Sequence, residues 1–303
     1  MTTPLRLEAT TGLHRPPRGV TVTKAYWKPL SVPSRPPQIL KRFLLKLLRI
    51  HLPSDANPRK PMTPRLYLPE LQAGRITLGK EQSHHLVRVL RLASGTLVVG
   101  FNGRGQEARM QLLTANAQAC LVEADPPQTI DRESPLHTIV LQALCTGDKM
   151  DWVVQKSSEL GASEIWPIQA ERSVLRLTGS RAATRLEHWR KIAESAASQC
   201  GRNRLPKLAP IRTLQEAVLQ FDAEPQPKSA WLLDPFAVQS LSSAAMSPYM
   251  GILIGPEAGF SDEEEALAQT HGFEGVRSGP RILRTETAAA AVLASLACRC
   301  GEF

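Results

Sequence analysis

The chain has 303 residues, of which 42% are apolar and 21% charged, a composition typical of a globular protein and not of a disordered chain. No apolar run approaches the roughly 20 residues that span a bilayer, so we expect no membrane insertion of the core protein. The five cysteines are scattered and lack the spacing of a zinc site or a disulfide framework, which predicts a cytoplasmic protein without a metal.

The formal net charge of +9 is confined to the first part of the chain. Residues 1–61 contain twelve Lys and Arg against two acids, whereas the remainder contains 25 basic and 26 acidic residues. Ten of the 24 prolines also fall in residues 1–61 and predict irregular structure, apart from a basic amphipathic segment at Gln38–Leu52. That segment fits a membrane surface, RNA or organelle targeting. The alternative is an extension that is not part of the native fold, with Met62 as the natural start.

Short runs rich in branched aliphatic residues make up most of residues 62–125. They include TLVVGF, EARMQLL and AQACLVEA, and turn residues such as Asn102-Gly103 separate them. One predicted helix, Lys80–Leu92, interrupts the strands. The pattern indicates a small β-barrel-like domain, followed by a polar, proline-bearing linker at residues 126–135.

Predicted strands and helices alternate in residues 136–303, which indicates a mostly parallel α/β sheet. The predicted strands are HTIVLQALC, EIWPI, SAWLLD, MGILIG and GVRS. The predicted helices are Lys149–Leu160, Thr184–Cys200, Leu214–Phe221, Asp262–Gln269 and Glu286–Ala297. Ligands of such sheets bind beyond the carboxyl ends of the strands. Two loops lie there, IGPEAGF (Ile254–Phe260) and SGPRILRTETA (Ser278–Ala288).

The first loop does not have the chemistry of a phosphate cradle. Ser261 and Glu264 form a predicted capping box at the start of the next helix, whose first turn is acidic throughout, Asp262 to Glu265. These carboxylates already interact with the positive end of the helix dipole, and they would repel a pyrophosphate. The glycine spacing of a dinucleotide site and the lysine of a P-loop are both missing. A cationic or zwitterionic ligand fits better, and S-adenosylmethionine is compatible with this loop without being selected by it.

The second loop adds basic chemistry to the same edge. Arg281 and Arg284 flank two apolar residues, and Thr285 is the predicted N-cap of the terminal helix, with Glu286 in its first turn. One interpretation is an anion-stabilising site. The other is two arginines paired with local acids beside a well-capped core helix.

These two loops resemble the closing motifs of the RsmE-type ribosomal RNA uridine methyltransferases of the SPOUT superfamily. Four further segments resemble the family's other signatures, in the family's order along the chain. They are HHLVRVLRL (His84–Leu92), KMDWVVQKSSELGASEIWPI (Lys149–Ile168), ERS (Glu171–Ser173) and WRKIAESAASQCGRNRLP (Trp189–Pro206). The resemblance extends from about Arg65 to Leu296, and residues 1–61 have no counterpart in it.

The resemblance implies methylation of N3 of one uridine in small-subunit (16S-type) ribosomal RNA, with S-adenosylmethionine as the donor. It implies an N-terminal PUA-like barrel that binds RNA, a C-terminal SPOUT domain that is a parallel α/β fold with a deep trefoil knot, and a homodimer. It also implies that the two loops hold the donor. The implied donor-binding residues are Ile254, Gly255, Pro256, Glu257, Gly259, Ser278, Gly279, Ile282 and Leu283.

Transfer to N3 of uracil requires removal of its proton or stabilisation of the charge that develops on O2 and O4. The resemblance suggests Arg202 and Gln199 for this work, together with Arg284. Glu286 could orient an arginine or simply begin its helix. For the segment around Arg202 the alternative is structural, because Gly201 could end a long helix.

The barrel contributes predicted RNA contacts of a different kind. Arg88 and Arg91 lie three residues apart on the predicted helix, where they would share a face and bind phosphate. His84 and His85 are expected to pack or cap and not to bind a metal.

The chain departs from the family pattern at Ala258, where the family usually has glycine; alanine is tolerable there if φ is negative. Two other classes of function stay open at this stage. One is a non-catalytic RNA-binding or ribosome-assembly protein that retained the fold, and the other is an α/β enzyme with a nucleotide cofactor.

Overall fold

A computed structural model describes residues 63–303. The predicted extension at residues 1–61, with its amphipathic segment Gln38–Leu52, lies outside the described residues. No helix in the described range is long and apolar enough to cross a bilayer.

The first part of the described chain forms a six-stranded sheet. Its strands are β1 Arg65–Tyr67, β2 Gly74–Thr77, β3 Leu97–Phe101, β4 Gln106–Thr114, β5 Leu121–Ala124 and β6 Gln128–Thr129. The order is β1-β3-β4-β5-β2, with β6 paired to β4, and every pairing except β1 with β3 is antiparallel. Alternate residues of β4 face a core that contains Met110 and Leu112, as period-two alternation requires.

The predicted helix Lys80–Leu92 is shorter than expected and changes its winding. An α-helix, α1, covers Lys80–His84, and a π-helical turn follows at His85–Val89. Arg91 then has φ 54°, in the left-handed region, which ends the helical run. Arg88 and Arg91 are both exposed, but Arg91 lies beyond the helix, so the expected shared helical face is wrong.

The sequence predicts that the histidine pair of this segment packs or caps. His84 and His85 are both exposed, so neither packs into the core, whereas His85 is the C-cap residue of α1. The described residues contain no group of potential ligands that could hold a metal ion.

The linker at residues 126–135 is part of the fold and not a plain spacer. It contributes β6 to the first sheet, and the Ile130 amide donates to the Gly105 carbonyl at 3.1 Å. Arg132 forms a salt bridge with Glu107 at 2.8 Å, and Glu133 pairs with Arg202. Its polar composition therefore reflects charged contacts and not mobility.

The second part is an eight-stranded sheet in which every pairing is parallel. Its strands are β7 His137–Ala143, β8 Glu164–Gln169, β9 Lys207–Leu208, β10 Arg212–Thr213, β11 Lys228–Leu233, β12 Gln239–Ser240, β13 Tyr249–Ile254 and β14 Phe273–Arg277. The order is β10-β8-β7-β13-β11-β14-β12, with β9 on β8. The central strands are buried on both faces, which explains their nearly continuous apolar runs.

Five helices cover the two faces of this sheet. They are α2 Lys149–Glu159, α3 Gly179–Cys200, α4 Leu214–Asp222, α5 Asp262–Thr270 and α6 Thr285–Arg299. Helices α2, α3 and α6 contribute to one buried core, and α4 and α5 to a second. All five predicted helices are present. The largest difference is the start of α3, five residues earlier than predicted. The trefoil knot stays a prediction.

The two sheets meet at the amino-terminal edge of the parallel one. Asn203 lies just before β9, and its carbonyl accepts a 2.9 Å hydrogen bond from the Gly105 amide in the first sheet. The Leu205 amide donates in turn to the Gly103 carbonyl at 3.1 Å. Because β9 pairs with the start of β8, this joint lies opposite the carboxyl edge, where the predicted ligand loops are.

Candidate active site

A cavity of about 600 Å³ lies beyond the carboxyl ends of β11, β13 and β14. The loop that follows β13 and the loop between β14 and α6 form most of its wall. Of the predicted donor-binding residues, all but one line it: Ile254, Gly255, Pro256, Glu257, Gly259, Ser278, Ile282 and Leu283. Gly279 does not line the cavity; it has φ 131°, which shapes the loop backbone.

The first loop turns tightly and leads into α5. The Gly259 amide donates to the Pro256 carbonyl at 2.9 Å, and Gly259 has φ 73°, a conformation that favours glycine. Arg91 is the one non-glycine residue of the described range with positive φ, so Ala258 meets the condition under which alanine is tolerable. Ser261 caps α5, and its capping box with Glu264 is formed as predicted.

Glu257, at the centre of this loop, is held by the start of α2. Its Oε1 accepts hydrogen bonds from Lys149 Nζ at 2.7 Å and from Thr146 Oγ1 at 2.9 Å. Burial alone would raise the pKa of Glu257, but these hydrogen bonds outweigh it and lower the pKa to about 2. The carboxylate therefore remains ionised and anchors the loop to the neighbouring strand end.

Thr285 links the two loops directly. Its Oγ1 donates to the Gly255 carbonyl at 2.6 Å and accepts from Gln142 Nε2 at 2.9 Å. Thr285 was expected to be the N-cap of α6, but Arg284 holds that position and Thr285 is the first helical residue. Its hydroxyl therefore binds another element and not the amides of its own helix.

The second loop places cationic and anionic groups at the mouth of the cavity. Arg281 and Arg284 are exposed, and neither forms a salt bridge within residues 63–303. The alternative of arginines paired with local acids is therefore not seen there. Glu286 is mostly buried, and its Oε2 has no hydrogen-bond partner. The nearest cation is Lys149, whose Nζ is 4.0 Å from that oxygen.

Comparison with known proteins places this geometry in a family. The RNA methyltransferase domain family matches residues 132–297, and the RNA methyltransferase PUA domain matches residues 78–125. A ribosomal RNA small subunit methyltransferase E of Bacillus subtilis is 33% identical over 227 residues, covering 72% of this chain and 87% of the relative. The chain belongs to this methyltransferase family.

Solved structures of RsmE-type and related methyltransferases share the fold. One is a methyltransferase of Legionella pneumophila with bound S-adenosylmethionine, 34% identical, with a TM-score of 0.73 over 79% of this chain and 98% of its own. A second is the ribosomal RNA small subunit methyltransferase E of Neisseria gonorrhoeae, also bound to S-adenosylmethionine. It is 34% identical, with a TM-score of 0.71 over 78% of this chain and 98% of that chain.

Two of the catalytic residues predicted from the RsmE resemblance line the cavity, and two do not. Arg284 and Glu286 lie at its mouth. Arg202 is instead buried at the joint between the sheets, where Nη1 donates to the Ser158 carbonyl at 2.6 Å and Nε donates to Glu133 at 3.1 Å. Gln199 is an exposed residue near the end of α3, which Gly201 terminates with φ 89°.

Sequence reasoning missed a third wall of the RsmE cavity. Asp234, Pro235 and Phe236 follow β11 and line it, as do Lys149 and Glu265. The sequence could have indicated Asp234, Pro235 and Phe236, because SAWLLD is a predicted strand and ligands bind at the ends of neighbouring parallel strands. Lys149 begins one of the family-like segments, but nothing in that segment indicates its position at the cavity, where it contacts Glu257.

Proposed function

We propose that this methyltransferase modifies N3 of a uridine in small-subunit ribosomal RNA, with S-adenosylmethionine as methyl donor. The observation that carries the proposal is the cavity at the carboxyl edge, formed by the two loops that carry the family motifs. Relatives with this fold and 34% identity bind S-adenosylmethionine, and relatives over most of the chain are named for ribosomal RNA of the small subunit.

The chemistry of the cavity fits this donor. Its inner wall is apolar, with Leu233, Ile254 and Val276 at the strand ends, and suits an adenine ring. Asp234, Glu265 and Glu286 supply negative charge, which suits a sulfonium or ammonium group.

We assign the donor-binding role to the eight predicted residues that line the cavity. Backbone groups of the two loops hold the donor, with Gly255 and Gly259 permitting close approach. The Glu257 side chain is an exception, because its carboxylate is engaged by Lys149 and Thr146. It shapes the loop, and the residue contacts the donor through its backbone.

Arg284, Arg281 and Glu286 are the proposed reaction residues. The bound donor supplies an electrophilic methyl group. The guanidinium of Arg284 or Arg281 stabilises negative charge on the uracil oxygens as the N3 proton leaves, because neither is paired within the described residues. The partner-free oxygen of Glu286 can accept a proton, whereas an arginine is a poor base.

The remaining assignments concern RNA and assembly. We propose that Arg88 and Arg91 bind phosphate, because both are exposed arginines on the PUA-like domain. We also propose that residues 62–125 are the RNA-binding barrel, that residues 126–135 are the linker, and that residues 136–303 are the catalytic domain. Phe236 and Ile282 are 84% and 70% exposed beside the cavity, which supports a homodimer with its interface at the site. Cytoplasmic localisation follows from the substrate and stays a prediction.

The test is single-turnover transfer of labelled methyl groups to small ribosomal subunits that lack the modification. We expect transfer by the parent, and a block to reverse transcription at one uridine, since N3 methylation removes a Watson–Crick donor. Glu286→Gln and Arg284→Ala should each lose roughly a hundredfold in rate. The controls are Glu274→Gln and Arg181→Ala, exposed residues outside the cavity. Donor binding without transfer to any RNA would instead support the non-catalytic alternative.

A further inference from the structure

A second, smaller cleft of about 300 Å³ lies where the barrel domain meets the parallel sheet. The barrel contributes Tyr67 from β1. The other side contributes α3 and the segment that leads into β9: Arg190, Ala193, Glu194, Leu205, Pro206, Lys207 and Leu208. It lies at the amino-terminal edge of the sheet, opposite the donor cavity, because β9 pairs with the start of β8. None of its residues lines that cavity.

Two hydrogen-bonding groups in this cleft have no partner among the described residues. They are the hydroxyl of Tyr67 and the carboxylate of Glu194, and they come from different domains. Partial burial is the largest cause that raises the pKa of both side chains, and each residue keeps part of its surface in contact with solvent. A hydroxyl and a carboxylate that line one cavity without protein partners are available to an external ligand.

The walls and the rim of the cleft have the character of a nucleotide site. Ala193, Leu205 and Leu208 give it apolar sides, and Tyr67 offers a partly exposed aromatic ring. At the rim, the side chains of Arg190 and Lys207 are 53% and 66% exposed. Arg190 pairs with the exposed Glu187, and solvent weakens that ion pair, so a phosphate can compete for Arg190. Lys207 pairs with the mostly buried Glu164, and its exposed ammonium can contact a phosphate while it keeps that partner.

Two more cations extend this rim. Arg104 and Arg204 form an isolated β-bridge across the joint, and both are exposed. Neither forms a salt bridge within the part of the chain that the structure describes. Phosphate groups of a strand that crosses the joint would meet these side chains.

We propose that this cleft binds one unpaired nucleobase with an exocyclic amino group, from a part of the RNA other than the target uridine. The Glu194 carboxylate accepts hydrogen bonds from the amino group, Tyr67 packs against the base, and the rim cations bind the adjoining phosphates. Uracil has no amino group, and its one Watson–Crick donor, N3–H, lies between two carbonyl oxygens that a carboxylate repels. The cleft therefore selects against uracil and positions the RNA. This inference rests on the proposed function, because it takes RNA to be the substrate.

The test measures binding of the full chain to labelled single-stranded oligo(C), oligo(A) and oligo(U). We expect the parent to bind oligo(C) and oligo(A) at least about fivefold more tightly than oligo(U). Glu194→Gln should remove most of this preference, because an amide also donates to uracil oxygens. Electrostatic attraction by the basic residues 1–61 is common to all three RNAs and cancels in the ratios.

Tyr67→Leu should weaken binding of all three RNAs roughly tenfold, while leucine still packs against Phe101. Arg181→Ala, an exposed arginine near the start of α3, is the matched control and should bind as the parent does. If Tyr67→Leu does not fold, the nearly isosteric Glu194→Gln still decides the question.

Equal binding of the three RNAs by the parent would overturn the proposal, as would an unchanged preference in Glu194→Gln. Binding of S-adenosylhomocysteine and methyl transfer to small subunits are measured on the same preparations. A parent that binds this donor analogue and transfers methyl groups without base preference shows that only the cleft assignment is wrong. A parent that neither binds the donor analogue nor transfers methyl groups shows instead that the proposed function is wrong.

Discussion

Thr285 Oγ1 donates a 2.6 Å hydrogen bond to the carbonyl of Gly255, 30 residues earlier in the chain. The bond joins the first turn of α6 to the end of β13, so the two loops around the cavity form one unit. The same hydroxyl accepts from Gln142 on β7, whose side chain is fully buried. Three neighbouring elements therefore share one small polar group.

Replacing this hydroxyl should loosen the cavity. Thr285→Val keeps the shape of the side chain but removes the donor to the Gly255 carbonyl and one of the two acceptors of Gln142 Nε2, which still donates to the Ala143 carbonyl. We expect the free energy of unfolding to fall by about 1–3 kcal/mol and donor affinity to fall with it. Thr285→Ser keeps the hydroxyl and should behave close to the parent. Urea unfolding and calorimetric titration with S-adenosylhomocysteine measure both, and full affinity in Thr285→Val would contradict a coupling of the loops.

The Lys149–Glu257 pair predicts a pH dependence at acid pH. The pKa of Glu257 is lowered from 4.5 to about 2, so its contribution to stability is present above pH 4.5 and is lost as the pH falls towards 2. Both side chains are about 30% exposed, so solvent screens the pair and we expect a small favourable coupling.

A double-mutant cycle with Lys149→Met and Glu257→Gln measures that coupling at neutral pH. The same cycle at pH 2 should give a clearly smaller coupling, because Glu257, with a pKa of about 2, is then about half protonated. A coupling that does not change with pH would mean that packing, and not charge, connects the two residues.

The two glycines of the first loop should respond differently to alanine. Gly259 has φ 73°, where a Cβ costs roughly 1–2 kcal/mol. Gly255 does not have positive φ, and an added Cβ would meet the Phe260 ring at an ordinary 3.4 Å. In urea unfolding, Gly259→Ala should be destabilised by that amount, whereas Gly255→Ala should be nearly unaffected. Equal stability of the two variants would show that the loop relaxes around position 259.

Arg202 should behave as a structural residue of the joint. Arg202→Ala leaves Glu133 without its ion-pair partner and removes the stronger of the donors to the Ser158 carbonyl, and removing one partner of a buried pair costs about 3–5 kcal/mol. The double variant Arg202→Met with Glu133→Leu removes both charges and should recover much of that loss. A stable Arg202→Ala protein with a slow methyl-transfer rate would restore the catalytic interpretation.

The exposed arginine of the π-helical turn gives a test of RNA binding by the barrel. Arg88→Ala should reduce the slope of log affinity against log salt by about one for each lost phosphate contact, with donor affinity unchanged. Arg75→Ala on β2 is the matched control, since Arg75 is also exposed and pairs with Glu123. Identical slopes for the two variants would place the RNA elsewhere on the barrel domain.

The sequence by itself determined the architecture and the two loops that line the cavity. Apolar strands that alternate with amphipathic helices fix a parallel sheet, because each pattern buries a face only in that arrangement. The capping box at Ser261 was readable too, since it depends on residues three apart. Local patterns of this kind can be read from the sequence because the interactions that cause them join residues close together in the chain.

Tertiary structure decided what the polar side chains do. Arg202 pairs with Glu133, 69 residues away, and Glu257 is bound by Lys149, 108 residues away. Thr285 suits a local cap but binds Gly255 instead. Arg91 lies beyond the helix, after a π-helical turn that the three-residue spacing of Arg88 and Arg91 does not reveal. The partners of a charge or hydroxyl depend on which strand ends become neighbours, and that is set by the packing of the whole sheet.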